Sequence, residues 1–538
     1  MSSSALSIAL LHDFHRKLQL STLDGVKHLH GQTTPAIADY AKRFQECLPT
    51  QYHRIPSSKL VDRVRDAEVV LFGDFHTLPQ SQAAFFELLR RSFNNGKETA
   101  TSRPMQVALE IFAAADQDHI DDYLSGRLPE EYFLKRIDYH NKWGFPWENY
   151  KPIVDFCVQN KIPIVGINCH TDPTNRLAKR DSFAANIINA ILTQEPCALV
   201  LCLIGEYHLA DQHLPQMLQS RSIVRVVNNI DDYSIPSLDQ DMASFEALEL
   251  NADFFCILNT SPWLKWQSLA MWEELHGVSE ESFYGGEIDA YTVQEYDFEY
   301  QLLFILKSVN EFLQLGISSS DMSFDIYLKP DRTTLSYIRS KFGISRQNYA
   351  TAERKLYQDG FCYLPRAKAI LLLEFSMTHL LEVAGFILMD CMNKNLSKQG
   401  SFAQRVQYQI CGTLTGLIMN PRRATATLIQ VEADLKQLQR KRLSGESRKY
   451  REAYRQVRDF YQDGFQEVFK PTQSLEGRDK DSNYLISRIF GETIAHQIFM
   501  LCLNSELEMK KGLATLFSND LPEQLALLRP REEMRSVS

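Results

Sequence analysis

Between residues 60 and 275, short apolar runs alternate with segments of helical spacing. The runs are "EVVLFG" (68–73), "MQVALEIF" (105–112), "IPIVGIN" (162–168), "ALVLCLIG" (198–205), "IVRVVNN" (223–229) and "DFFCILN" (253–259). A strand with one wet face alternates apolar and polar residues, whereas these runs are apolar almost throughout, so both of their faces are covered. With helices between them they predict an α/β fold, a mainly parallel sheet flanked by helices. Turn chemistry agrees: Thr77, Pro79 and Gln80 have capping-box spacing before the helix "PQSQAAFFELLRRSF", and Asp172 before Pro173 suits a cap after the third strand.

Past residue 275 the pattern changes. An acidic stretch, 287–300, leads into helical spacing in three blocks, 301–395, 400–470 and 482–518. The apolar stretch "AILLLEFSMTHLLEVAGFIL" (369–388) carries Glu374, His379 and Glu382. It falls short of the roughly 18 uncharged residues of a membrane span and reads as a buried helix. Between 422 and 458, eleven Lys or Arg stand against four acids, which predicts a solvated helical hairpin broken at Gly445. The expected organisation is an N-terminal helical extension (1–55), the α/β domain (56–275), an acidic linker (276–300), a large all-helical C-terminal region (301–525) and a disordered tail (526–538).

Charge and cysteine content narrow the class. A formal charge of −9 over 538 residues argues against a protein given over as a whole to nucleic acid, while a local basic surface stays open. Ten cysteines without a CxxC pair point to reduced thiols. The N-terminus has only a short apolar stretch, Ala5 to Leu11 interrupted by Ser7, with no basic residue before it. No signal or lipid anchor is expected, and the cytoplasm is the expected compartment.

Two strand ends repeat one arrangement: Gly73, Asp74, Phe75, His76 and Gly205, Glu206, Tyr207, His208. Residues two apart in an extended chain point to one side, so each acid and histidine are expected to face one cavity, the glycine permitting close approach. Glu110 ends the second strand at the same level, and His170 ends the third as a weaker candidate. Ligands bind at the carboxyl ends of parallel strands. Asp74, His76, Glu110, Glu206 and His208 are therefore the candidate catalytic set, and His76, Glu110 and His208 the candidate metal ligands. The ordinary alternative for each is a helix cap or a hydrogen-bonded core histidine. Trp143, Phe145, Trp147 and Tyr150 read as helix-to-sheet packing, with one wall of the pocket as their alternative role.

These stretches, with "WGFPWENYKPIVDFC" (143–157) between them, keep the order and spacing of a known family. Over about 60–260 the chain resembles the ChaN-like haem-binding domain, itself similar to the Tiki, TraB and erythromycin esterase superfamily with its paired GxxH motifs. The resemblance implies Gly73, His76, Gly205 and His208 as cofactor-binding positions and Glu110 as the strand acid, with Asp74 where the family usually has Glu. It implies a small-molecule ligand, with haem or a divalent metal ion as cofactor. Metal-dependent hydrolysis, with Asp74 or Glu206 as base, is the alternative. Haem against metal, and a homo-oligomer against a monomer, stay open.

A second class of function rests on 334–366, where a helix, a turn at Gly343, a second helix opening at Ser345 and a short strand after Gly360 have winged helix-turn-helix layout. Ser345, Arg346, Gln347 and Tyr349 would begin its recognition helix. A structural helix pair is the more common meaning of that layout, and nucleic acid is not the expected partner.

Overall fold

The structure, a computed structural model, describes residues 3–29, 35–97, 103–169, 176–220, 222–239, 241–276, 298–373, 376–393, 402–439, 445–463, 480–504 and 508–518. The expected cap at Asp172, the candidate His170, the acidic stretch as far as 297 and the expected tail lie outside the described residues. The chain divides into two compact units, His15–Ser237 with Met242–Tyr296, and Met1–Phe14 with Leu238–Asp241 and Asp297–Ser538.

The first unit is built on an eight-stranded sheet. Its strands are β1 (His53–Ile55), β2 (Val69–Asp74), β3 (Met105–Ala113), β4 (Ile164–Asn168), β5 (Leu199–Gly205), β6 (Ile223–Asn228), β7 (Glu246–Asn251) and β8 (Phe254–Leu258). Their order is β1-β7-β8-β6-β2-β5-β3-β4. All six apolar runs are strands of one parallel array, and β1 and β7 add an antiparallel edge that the pattern does not announce. Burial explains the runs: Val70 and Phe72 of β2 pack with Leu88 and Ile153 on one face, Val69 and Leu71 with Ala184 and Ile188 on the other.

Two details shape the carboxyl ends. From β2 the chain crosses over β5 to β3, and from β5 it later crosses β2 to β6, so connections diverge where β2 and β5 end. Such a divergence opens a crevice. The pairing of β3 with β4 shifts register between Leu109 and Ala113, a bulge that spans Glu110. Gly166 in β4 makes this approach feasible, since a Cβ there would stand 2.7 Å from the Ala113 carbonyl oxygen.

In the second unit, helices Phe298–Leu313, Met377–Met392, Phe402–Met419 and Lys480–Leu503 bury the apolar blocks. Gly385 lets two of them cross closely, because an added Cβ would lie 2.3 Å from the Cys411 carbonyl oxygen. Buried Glu382 accepts from Gln409 at 2.8 Å and from Arg423 at 2.7 Å. The basic hairpin forms helices Leu428–Gln439 and Gly445–Asp463. The stretch 369–388 is not one helix: Ala369–Leu372 is a strand and the helix starts at Met377. A continuous apolar run does not by itself distinguish a buried strand from a buried helix. That strand, β11, joins β9 (Asp325–Leu328) and β10 (Phe361–Leu364) in a sheet of order β10-β11-β9, so the largely helical region also holds a small sheet. No described helix is long and apolar enough to cross a membrane, and all ten cysteines are free thiols.

Candidate functional site

Asp74 closes β2 and is 3% exposed. Its Oδ1 accepts from Ser81 Oγ at 2.9 Å and from Gln82 Nε2, and its Oδ2 accepts from the Tyr150 hydroxyl at 2.9 Å. These donors come from the first turn of helix Pro79–Lys97 and from helix Trp147–Asn160. Ser81 rather than Thr77 serves the chain entry, receiving the Phe75 N–H at 3.0 Å, while the Thr77 hydroxyl meets Ser268 Oγ. The remaining partner of Asp74 Oδ2 is His76 Nδ1, at 2.9 Å. A carboxylate so fully held fixes the imidazole and turns its Nε2 toward Glu110.

The second motif is built differently. Glu206 to Leu209 form a 3-10 turn, so Glu206 and His208 do not share the face that an extended chain would give them. Glu206 turns away to a buried ion pair with Lys265 Nζ, at 3.0 and 3.2 Å. Burial pushes its carboxyl above the usual range, with Lys265 opposing. Gly73 is what permits this packing, since a Cβ there would stand 3.0 Å from Glu206 Cβ and 3.1 Å from its Cα. His208, 3% exposed, turns to Asp181 on helix Arg176–Gln194, with Nδ1 2.6 Å from Oδ1. The Tyr40 hydroxyl donates to the other oxygen of Asp181 at 3.0 Å, its ring stacked on His213 at 3.7 Å.

The two histidine pairs meet on Glu110. Its Oε2 accepts the Gly205 N–H at 2.8 Å and lies 3.9 Å from His76 Nε2. Its Oε1 lies 3.7 Å from His208 Nε2 and 3.6 Å from Arg180 Nη1. Gly205 is the floor of the cluster: a Cβ there would be 3.4 Å from His208, 3.5 Å from His76 and 3.6 Å from Glu110. Burial alone would raise the Glu110 carboxyl, yet His208, His76, Arg180 and the Gly205 N–H hold it below the ordinary range. Burial opposes charge on His208, and Asp181 and Glu110 outweigh it, so its pKa rises. At neutral pH Glu110 is an anion facing a histidine inclined to hold its proton.

Of the sequence candidates, Asp74, His76, Glu110, Gly205 and His208 come together, and Glu206 with Gly73 supports them from behind. Asp181, Arg180 and Tyr40 come from helices, where no motif spacing marks them, and Tyr150, singled out in the aromatic stretch, reaches the site through its hydroxyl on Asp74. Trp143 and Phe145 flank the His76 ring, with centroids 4.8 and 5.0 Å away, while Trp147 packs in the core against Phe112, Phe133 and Tyr139. The buried Arg180 Nε and Asn168 Oδ1 meet no partner among the described residues.

Two cofactors bear on this donor set. Among the described residues, no three His, Cys, Asp or Glu side chains are placed to hold one metal ion. For haem, the nitrogens that would ligate iron aim at the Glu110 carboxylate, and the His208 side chain is 4% exposed. Among the described residues the cluster therefore offers no open imidazole face to a macrocycle and does not fit haem.

Residues 60–186 match the family model described as haem-binding uptake, Tiki superfamily, ChaN. The ChaN of Campylobacter jejuni, whose structure describes cofacial haem binding, is 16% identical with a TM-score of 0.29, covering 38% of this chain and 91% of that one. The type III effector HopBA1 is 14% identical with a TM-score of 0.27, covering 39% of this chain and 97% of that one. None of the curated proteins matches the sequence significantly.

Proposed function

We propose, taking the ChaN-family match of residues 60–186 as premise, that the α/β domain binds a small molecule and hydrolyses an ester-type bond in it by general acid–base chemistry. The observation that carries this reading is the meeting of two aspartate–histidine pairs, Asp74–His76 and Asp181–His208, on one buried glutamate. A carboxylate behind an imidazole sets its tautomer and stabilises the imidazolium that forms.

The two histidines have different work. His76, 14% exposed in its side chain, is the more accessible and acts as base: its Nε2 takes a proton from water as the oxygen adds to the electrophilic carbon or phosphorus. His208, with its raised pKa, is the acid, and its Nε2 proton passes to the departing oxygen as that bond breaks. Glu110 holds both rings in register, and Arg180 steadies the charge that builds on the substrate oxygen.

The test uses the full chain with p-nitrophenyl acetate and p-nitrophenyl phosphate, in EDTA. Turnover should fall by about 100-fold or more in His76→Asn and in His208→Asn, the usual share of a positioned acid or base. Turnover unchanged in both variants, or none with either probe, removes the proposal.

Haem binding is the second reading, and the family match favours it. Because the cluster does not fit a macrocycle, haem would be held elsewhere on the domain. Titration with haemin should then give the same Soret shift in wild type and in His76→Asn. A shift abolished by that substitution would return haem to the cluster.

A further inference from the structure

Residues 325–372 form a winged helix-turn-helix. Strand β9 leads into helix Arg332–Lys341, capped by Asp331 through the Thr334 N–H at 2.7 Å. A turn at Gly343, with φ +59°, leads into helix Arg346–Asp359. Gly360, with φ +79°, then reverses the chain into β10, and Pro365–Lys368 is the hairpin between β10 and β11. The motif has its own core, in which Leu335 and Ile338 of the first helix meet Ala352 and Leu356 of the second and Cys362 and Leu371 of the sheet.

Its charge departs from that of the chain. Between 329 and 368 there are nine Lys or Arg against three acids, in a protein of net charge −9. Four of these cations gather about the turn and the wing. Arg339 lies over the Tyr349 ring, which brings the end of the first helix to the start of the second. Lys341 lies over Tyr337 and Phe342, and Arg366 and Lys368 are exposed on the wing. Among the described residues none of the four has a carboxylate within 4.0 Å. In the other unit, Arg43, Lys59, Arg63, Arg91 and Arg127 each pair with one. Cations without a close carboxylate on a helix-and-wing face are complementary to a polyanion, and a major groove about 12 Å wide admits one helix.

We propose that this face, made by Arg339, Lys341 and the wing residues Arg366 and Lys368, binds the phosphate backbone of double-stranded DNA. This is independent of the hydrolytic reading.

The test is fluorescence anisotropy of a labelled 25-base-pair duplex of mixed sequence with the full chain at 50 and 200 mM NaCl. Four phosphate contacts give a logarithmic salt slope near −3.6, so affinity should fall by about 150-fold between the two salts. Arg366→Ala with Lys368→Ala should halve the slope and leave a fall of about 12-fold. Arg339→Ala with Lys341→Ala tests the other pair, circular dichroism reporting that each variant is folded. Absence of binding at 50 mM NaCl, a slope unchanged in both double variants, or tighter binding of single-stranded RNA of equal length would overturn the proposal.

Discussion

Replacing Glu110 with glutamine tests whether a single charge organises the cluster. The amide keeps the side chain's shape, and its oxygen still accepts the Gly205 N–H. It no longer neutralises Arg180, 3.6 Å away, or attracts the proton of His208. Exchanging a charge-assisted hydrogen bond for a neutral one costs about 1 kcal/mol. Arg180, 14% exposed in its side chain, recovers part of its hydration, so loss of its partner adds about 1–2 kcal/mol rather than the 3–5 of a fully buried pair. The sum is about 2–3 kcal/mol at pH 7. The sign with pH follows from the depressed Glu110 pKa. Its stabilisation is complete above the unfolded glutamate value of 4.5 and is lost as pH falls through the folded value, so wild type and Glu110→Gln should converge in acid. The assay is urea unfolding followed by tryptophan fluorescence. All five tryptophans lie between residues 143 and 272, so the signal reports the α/β unit alone. A gap below about 0.5 kcal/mol, the scatter of ordinary surface substitutions, or one constant from pH 7 into acid, would refute the reasoning.

Other expectations follow from the same contacts. The raised His208 pKa stabilises the fold below the free value of 6.5 and is lost as pH rises through the folded value. Asp181→Asn should bring the His208 titration to lower pH, read from its imidazole NMR signals, and no shift would contradict the pairing. Gly166→Ala should lower α/β stability by about 1–3 kcal/mol, because its Cβ meets backbone that cannot step aside. Gly205→Ala, whose nearest neighbour would be 3.4 Å away, should change stability little while hindering the esterase probes. Gly385→Ala should destabilise the helical unit, seen as an earlier loss of circular dichroism at 222 nm with the tryptophan transition in place.

The parallel sheet is legible because a strand buried on both faces has nowhere to put a polar residue, and "VVLFG" or "LVLCLIG" then stands out from any helix. The edge strands are not. His53–Ile55 is short and largely exposed, and Glu246–Asn251, with acids at its first and fourth residues, carries no parallel signature. The site is half legible for a related reason. His76 and His208 sit just past strand ends, and Glu110, expected to end its strand, lies instead at the bulge inside β3, which runs on to Ala113; in each place an acid or histidine breaking an apolar run is conspicuous. Asp181 and Tyr40 reach the same cluster from helices rich in other charges, and only the three-dimensional path selects them. Glu206 shows the converse: its motif position matches that of Asp74, but a 3-10 turn replaces extended chain there and aims it at Lys265.

The interleaving of the two units has a consequence for how the protein is made. Residues 15–296 hold the α/β unit, apart from the short excursion Leu238–Asp241, and it can close once Tyr296 has been synthesised. Met1–Phe14 belong to the other unit, whose remainder begins at Asp297. At about 5–20 residues per second, the first fourteen residues wait roughly 15–60 s for a partner to emerge. Leu11, fully buried in the finished protein, and Phe14, whose ring meets Phe312 at 4.5 Å, spend that interval uncovered. Through that interval the nascent chain therefore carries an unsatisfied apolar segment. Full-length protein refolded from denaturant, with both ends present from the start, is spared that stage.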